Sequence, residues 1–140
     1  MGTRLLFSHP TVGDNILLTE DQLSLDNLLT SVSGPDRGGI VVFSGVVRDT
    51  EDGKPIGSIT YEAYVPMAKK EIEKILREAQ DKWDIRAAVH HRLGVIPVGE
   101  SSLLVACAGI HRREAFEAGQ WIVDAVKGDV PVWKVKFQWV

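Results

Sequence analysis

Apolar positions along this chain change period several times, and each change marks an element. From Pro66 to Trp83, Ile72, Ile75, Leu76, Ala79 and Trp83 recur at helical spacing while Lys69, Lys70, Glu73, Lys74, Arg77 and Glu78 fill the opposite face. That span predicts an amphipathic helix. A second helix starts near Arg112, turns Ala115, Ala118, Ile122, Ala125 and Val126 inward, and stops at Gly128. A third opens at Thr19 or Glu20, runs through Leu23, Leu28, Leu29 and Val32, and closes at Ser33-Gly34-Pro35.

Elsewhere the pattern is that of strands. Gly38 to Arg48 is rich in β-branched residues, and Gly57 to Tyr64 alternates through Ile59, Tyr61 and Ala63. The polar stretch from Asp49 to Pro55 joins them, so the two runs predict a hairpin with a long mobile tip. Further strands are expected at Arg4–Phe7, Ile85–Leu93 and Ser101–Ile110, the last two separated by Gly94, Pro97 and Gly99. The closing strand, Val132 to Val140, alternates Trp133, Val135, Phe137 and Trp139 against Val132, Lys134, Lys136 and Gln138. An order of β-α-β-β-α-β-β-α-β implies an α+β fold, mainly antiparallel sheet with about three helices, in one domain over residues 1–140.

Composition narrows the function classes. With 140 residues, 44% hydrophobic and 25% charged, the chain is long enough to bury a core. A formal charge of -3 argues against a general nucleic-acid or membrane binder, so any anion site must be local. The single cysteine, Cys107, lies in an apolar strand run, which excludes an intrachain disulfide or a cysteine cluster and fits a reducing compartment. No signal peptide or membrane-length apolar run is seen, and Leu6 breaks a myristoylation pattern, so the cytoplasm is expected. There is no glycine-rich dinucleotide loop, Walker loop, nucleophile elbow or HExxH motif.

The candidate chemistry is cationic. Arg48 ends an apolar strand beside a polar loop, where a guanidinium can grip a phosphate or simply be solvated. His111 and Arg112 stand at a helix N-terminus, where the dipole already favours an anion and a cation works against helix stability. Lys127 sits in the last turn of the same helix, a place that dipole complementarity alone explains. Lys134 and Lys136 share one strand face and are expected to crowd Lys127, which would lower an amine's pKa. His90 and His91 point to opposite faces of a strand, so a structural role is expected for both rather than a metal site. Glu62 and Glu114 are possible bases, without the spacing of a carboxylate pair. Arg112 and Lys127 lie roughly 22 Å apart along a helix rising about 1.5 Å per residue. Either the two ends serve different purposes, or two copies of the chain build one site.

Five ordered segments carry a family resemblance: Phe43-Ser44-Gly45-Val46-Val47-Arg48, Tyr61-Glu62-Ala63-Tyr64-Val65-Pro66-Met67-Ala68, His91-Arg92-Leu93-Gly94, His111-Arg112-Arg113-Glu114-Ala115-Phe116, and Lys127 with Pro131-Val132-Trp133-Lys134. Together they resemble the large, catalytic subunit of molybdopterin synthase, collinearly from about Gly38 to Lys134. The resemblance implies an α/β hammerhead type of fold and a homodimer in which each copy binds a small ubiquitin-like sulfur carrier, giving a heterotetramer. It implies a sulfurtransferase without resident cofactor or metal. The carrier's C-terminal Gly-Gly thiocarboxylate would supply two sulfurs to cyclic pyranopterin monophosphate, making the dithiolene of molybdopterin.

Carried over by motif, Val46, Val47 and Arg48 would line the substrate site, and His111 with Arg112 would reach it from the neighbouring protomer. Lys127 would be the key catalytic lysine with Lys134 beside it, and Val135 and Lys136 would continue the substrate-binding strand. The tail departs from the family pattern, because Lys136 stands at a usually acidic position and a glycine-containing loop before the final tryptophan is missing. That departure keeps open a noncatalytic module that docks a ubiquitin-like partner along Trp133 to Trp139. The same cations also leave open a phosphate-ligand or RNA-binding domain that needs no carrier.

Overall fold

The computed structural model describes residues 15–140, so the strand expected at Arg4–Phe7 lies outside the described residues. Strands β5 (Ile85–Arg92) and β7 (Ser101–Gly109) are buried along nearly their whole length. Both faces of these strands are covered, which in β7 reads as the unbroken apolar run Leu103 to Ala108, whereas β5 also buries Arg86, His90 and His91. They form the centre of a four-stranded sheet with order β1-β5-β7-β2, where β1 is Ile16–Thr19 and β2 is Gly39–Val46. Only the β1–β5 pair of that sheet is parallel.

One face carries helices α2 (Val65–Lys82) and α3 (Arg112–Asp129), whose Ile72, Leu76, Ala118 and Ile122 pack over Ala87, Val89, Val105 and Cys107. The other face carries α1 (Leu25–Val32), which sets Leu28 and Val32 on Ala88, Leu104 and Ala106. Truncating Ile122, which is fully buried, to alanine should lower the unfolding free energy by about 2–5 kcal/mol, read from urea denaturation.

A second, smaller sheet holds β4 (Lys54–Ala63) between β6 (Gly94–Pro97) and β8 (Val132–Trp139). The two-residue β3 (Thr50–Glu51) folds back on the start of β4. Val47, Ile56, Ile59 and Ile96 form its own small core. Three helices and mainly antiparallel pairing among the described residues match the expected α+β class.

The expected hairpin between Gly38–Arg48 and Gly57–Tyr64 does not form. β2 pairs with β7 instead, and the chain leaves the first sheet at Val47, whose side chain enters the small core while its N–H donates to the Glu100 carbonyl at 3.0 Å. The hairpin shrinks to β3–β4, closed by Asp52 (φ 51°) and Gly53 (φ 77°), the paired positive φ values of a two-residue turn that suits strand twist.

The first helix begins later than expected. Ile16–Thr19 is drawn into the sheet beside β5, and Ser24 caps α1 by accepting the Asn27 N–H at 3.2 Å. Gly94 to Pro97, expected as a break, forms β6 against β4, with the turn out of β5 made at Gly94 (φ 81°). Gly128 lies within α3, which ends instead where the Val130 N–H donates to the Val126 carbonyl at 3.3 Å, just before Pro131. No described helix is long and apolar enough to cross a membrane.

Candidate active site

Where α3 ends and β8 begins, the two sheets and the helix leave a cavity of about 290 Å³ between them. Its walls include Gly45 of β2, Tyr61 of β4, His91 of β5, Ser102 of β7, Lys127 of α3 and Lys134 of β8. Six elements thus each contribute a side chain or backbone to one volume.

The lysine from β8 arrives there through a bulge. Tyr61 is opposite Lys134 and Thr60 is opposite Lys136, so Val135 is an extra residue in the strand. Neighbouring Thr60 and Tyr61 face opposite sides of the sheet, and their partners do too. Lys134 therefore shares the cavity face with Tyr61, whereas Lys136 faces away. The expectation that Lys134 and Lys136 crowd Lys127 together is corrected by this bulge. Val135 does not line the cavity either.

Both cavity lysines have loose partners. Lys127 Nζ lies 5.3 Å from the Phe43 ring centroid, and it makes no ion pair among the described residues. Lys134 Nζ is 4.0 Å from Glu51 Oε1, a long and half-exposed contact of the kind that contributes little. Two ammonium groups in one cavity, neither tightly neutralised, favour an anionic ligand or a developing negative charge.

His91 is buried in the wall, its ring edge-on to Tyr61 with centroids 5.4 Å apart. Its Nδ1 donates to the Arg92 carbonyl at 2.8 Å. Burial pulls its pKa below the usual 6.5, opposed by that backbone bond, so the ring is neutral at pH 7. Next to it Arg92 Nη1 and Glu100 Oε1 pair at 2.6 Å. The Glu100 carbonyl accepts the Val47 N–H at 3.0 Å, and the Gly99 N–H donates to the Val47 carbonyl at 2.9 Å. This clamp fixes the backbone that leads from the cavity wall to Arg48.

The remaining candidates lie outside the cavity of one protomer. Val46 and Arg48 are exposed beyond Gly45, and Val47 is buried in the small core, so its side chain cannot touch a ligand. His111 occupies the N-cap of α3 with no side-chain cap bond, and Arg112 follows, both exposed. The helix enters close to β7, since a Cβ on Gly109 would stand 2.8 Å from the His111 carbonyl oxygen. Glu62 is exposed opposite Trp133, and Glu114 is in the first turn of α3. His90 points to the α1 side of the sheet, buried, with Nδ1 lacking a partner. No group of three or more His, Cys, Asp or Glu could hold a metal ion among the described residues.

The model of the MoaE protein family matches residues 18–129. The chain belongs to the MoaE family. A molybdopterin synthase catalytic subunit from Bos taurus is 43% identical over 122 residues, 86% of this chain and 65% of that protein, so the chain spans slightly under two thirds of this relative. The crystal structure of molybdopterin synthase from Staphylococcus aureus superposes with a TM-score of 0.83 at 29% identity, over 90% of each chain. A complex of subunits 1 and 2 of the molybdopterin-converting factor from Helicobacter pylori matches with a TM-score of 0.74 at 25% identity, over 89% of each chain.

In this MoaE-family chain, the sequence pattern does not single out Tyr61 and gives His91 a structural role beside His90, whereas both Tyr61 and His91 line the cavity. Both lie in the segments that carry the family resemblance. Cys107 belongs to the core, where burial pushes its thiol up to about 12 against the opposing influence of Arg37. A thiol reagent should therefore leave the native protein unmodified and label one site after denaturation, as intact-mass measurement would read.

Proposed function

We propose that two copies of this chain form the catalytic core of a molybdopterin synthase, converting cyclic pyranopterin monophosphate to molybdopterin with sulfur from a thiocarboxylated, ubiquitin-like carrier. The observation that carries this reading is the meeting of Lys127 and Lys134 in one cavity beside β8. β8 pairs only with β4 among the described residues, so its outer edge is open, and Trp133 there is half-exposed. An extended C-terminal tail can enter along that edge and present its thiocarboxylate to the two ammonium groups. The small-subunit partner is supported by the Helicobacter pylori complex.

The second copy is argued from distance and from an uncovered edge. His111 and Arg112 lie roughly 22 Å along α3 from Lys127 at about 1.5 Å per residue, too far to share one small ligand. β2 is the end strand of its sheet and exposes Ile40, Val42 and Val46, with Phe116 of α3 also bare. An apolar strand edge of this kind is a liability unless covered. A second copy covers it and brings its His111 and Arg112 to Arg48. These three side chains then hold the phosphate and pterin while Lys127 and Lys134 face the sulfur chemistry.

No resident cofactor is needed, because the carrier brings the sulfur, and the cytoplasm is the compartment this reading expects. The test is reconstitution of the chain with thiocarboxylated carrier and cyclic pyranopterin monophosphate, scored for dithiolene pterin. Product formation is the expected result. A stable carrier complex that makes no product would favour a noncatalytic docking module.

A further inference from the structure

One titratable side chain in the cavity wall has a nitrogen with no structural task. A carbonyl oxygen can only accept, so the contact of His91 with the Arg92 carbonyl places the proton on Nδ1 and the lone pair on Nε2. Nε2 has no hydrogen-bond partner among the described residues. His91 lines the cavity of Lys127 and Lys134, so the imidazole and the two lysines border the same space.

We propose that His91 Nε2 is the proton acceptor for the step that frees sulfur from its carrier. The inference rests on the sulfurtransferase reading above. A thiocarboxylate sulfur that has bonded to a substrate carbon is still bonded to the carrier's carbonyl carbon, which makes the link a thioester. Water then adds through oxygen to that carbonyl carbon, and its proton passes to His91 Nε2. The carbon–sulfur bond breaks with its electron pair on sulfur, and the imidazolium returns the proton to the thiolate. The products are a carboxylic acid on the carrier and a thiol on the substrate. Water is the only added reactant, and nothing is oxidised or reduced.

The surroundings suit this division of labour. Lys127 and Lys134 can offset negative charge on the carbonyl oxygen, while a base must start neutral. The charged and titratable groups around His91 are Lys127 from α3, Lys134 from β8 with Glu51 against it, Tyr61 from β4, and the Arg92–Glu100 pair at the strand end. β7 presents Ser102 and Leu103, and β1 places Leu18 opposite His91. Burial opposes the imidazolium and outweighs the backbone bond to Arg92, which favours it, so the acceptor stays available at neutral pH.

The test is His91→Asn in the reconstituted complex, because an asparagine amide can replace Nδ1–H toward the Arg92 carbonyl while deleting Nε2. The variant should bind carrier with unchanged affinity and lose about 100-fold in kcat. It should accumulate a thioester-linked carrier–substrate adduct, visible by intact-mass spectrometry. Wild type should show kcat rising with pH through an apparent pKa below 6.5, and the variant should lack that limb. An Asn variant with wild-type kcat, an unchanged pH limb and no adduct overturns the proposal. His91→Gln, checked for the wild-type melting temperature, serves the same comparison if the Asn variant does not fold. A wild-type protein that makes no product would instead overturn the sulfurtransferase reading itself and this inference with it.

Discussion

Lys127→Ala should cut dithiolene formation by about 1000-fold while leaving the melting temperature and carrier binding nearly unchanged, a size typical of removing a positioned electrostatic group from an active site. The magnitudes separate the two roles this residue can have. As a helix-end cation it contributes roughly 0.3–1 kcal/mol through the dipole, within the range of an ordinary surface change. As a charge in the cavity it would account for about 4 kcal/mol of barrier, since each 1.36 kcal/mol is tenfold in rate. The structure gives the side chain few other duties, for it is exposed and makes no ion pair among the described residues. The measurements are a product assay and a thermal melt on the same preparation. Parallel losses of stability and activity would return Lys127 to a helix cap.

Mixing Lys127→Ala with Arg112→Ala, each inactive alone, should restore activity once the copies exchange. Lys127 of one copy and Arg112 of the other form each proposed site, so a mixed dimer carries one intact site and one doubly damaged site. Random exchange makes half the dimers mixed, so about a quarter of wild-type activity should return under two-fold symmetry. A site assembled within one protomer predicts no recovery at any mixing ratio. This outcome reads the shared site directly, because neither variant supplies the other's missing group in cis.

Much of the fold was legible in local pattern. The helix over Pro66–Trp83 appears as Val65–Lys82, and the strand Ile85–Leu93 as Ile85–Arg92, because periodicity reports which faces are buried. The partner of a strand is a different matter. Gly38–Arg48 and Gly57–Tyr64 are neighbours in sequence with compatible patterns, yet β2 lies against β7 and β4 lies between β6 and β8. Their alternation is satisfied by either arrangement, and only the burial of Val47 in the second core separates them.

The candidate site divides in the same way. The order of motifs was enough to name Lys127 and Lys134, and the distance along α3 was enough to ask for a second copy. It could not exclude Lys136, because the bulge at Val135 leaves no mark in a cleanly alternating strand. It could not choose between His90 and His91 either, since both are buried on one strand and differ only in which side of the sheet carries the cavity. Element types, helix faces and the chemical kind of the basic residues follow from local pattern, because they are properties of residues close along the chain. Strand partners, the bulge that turns Lys134 inward, and the histidine that meets it emerge only in the packed fold, because these depend on which distant segments share a core.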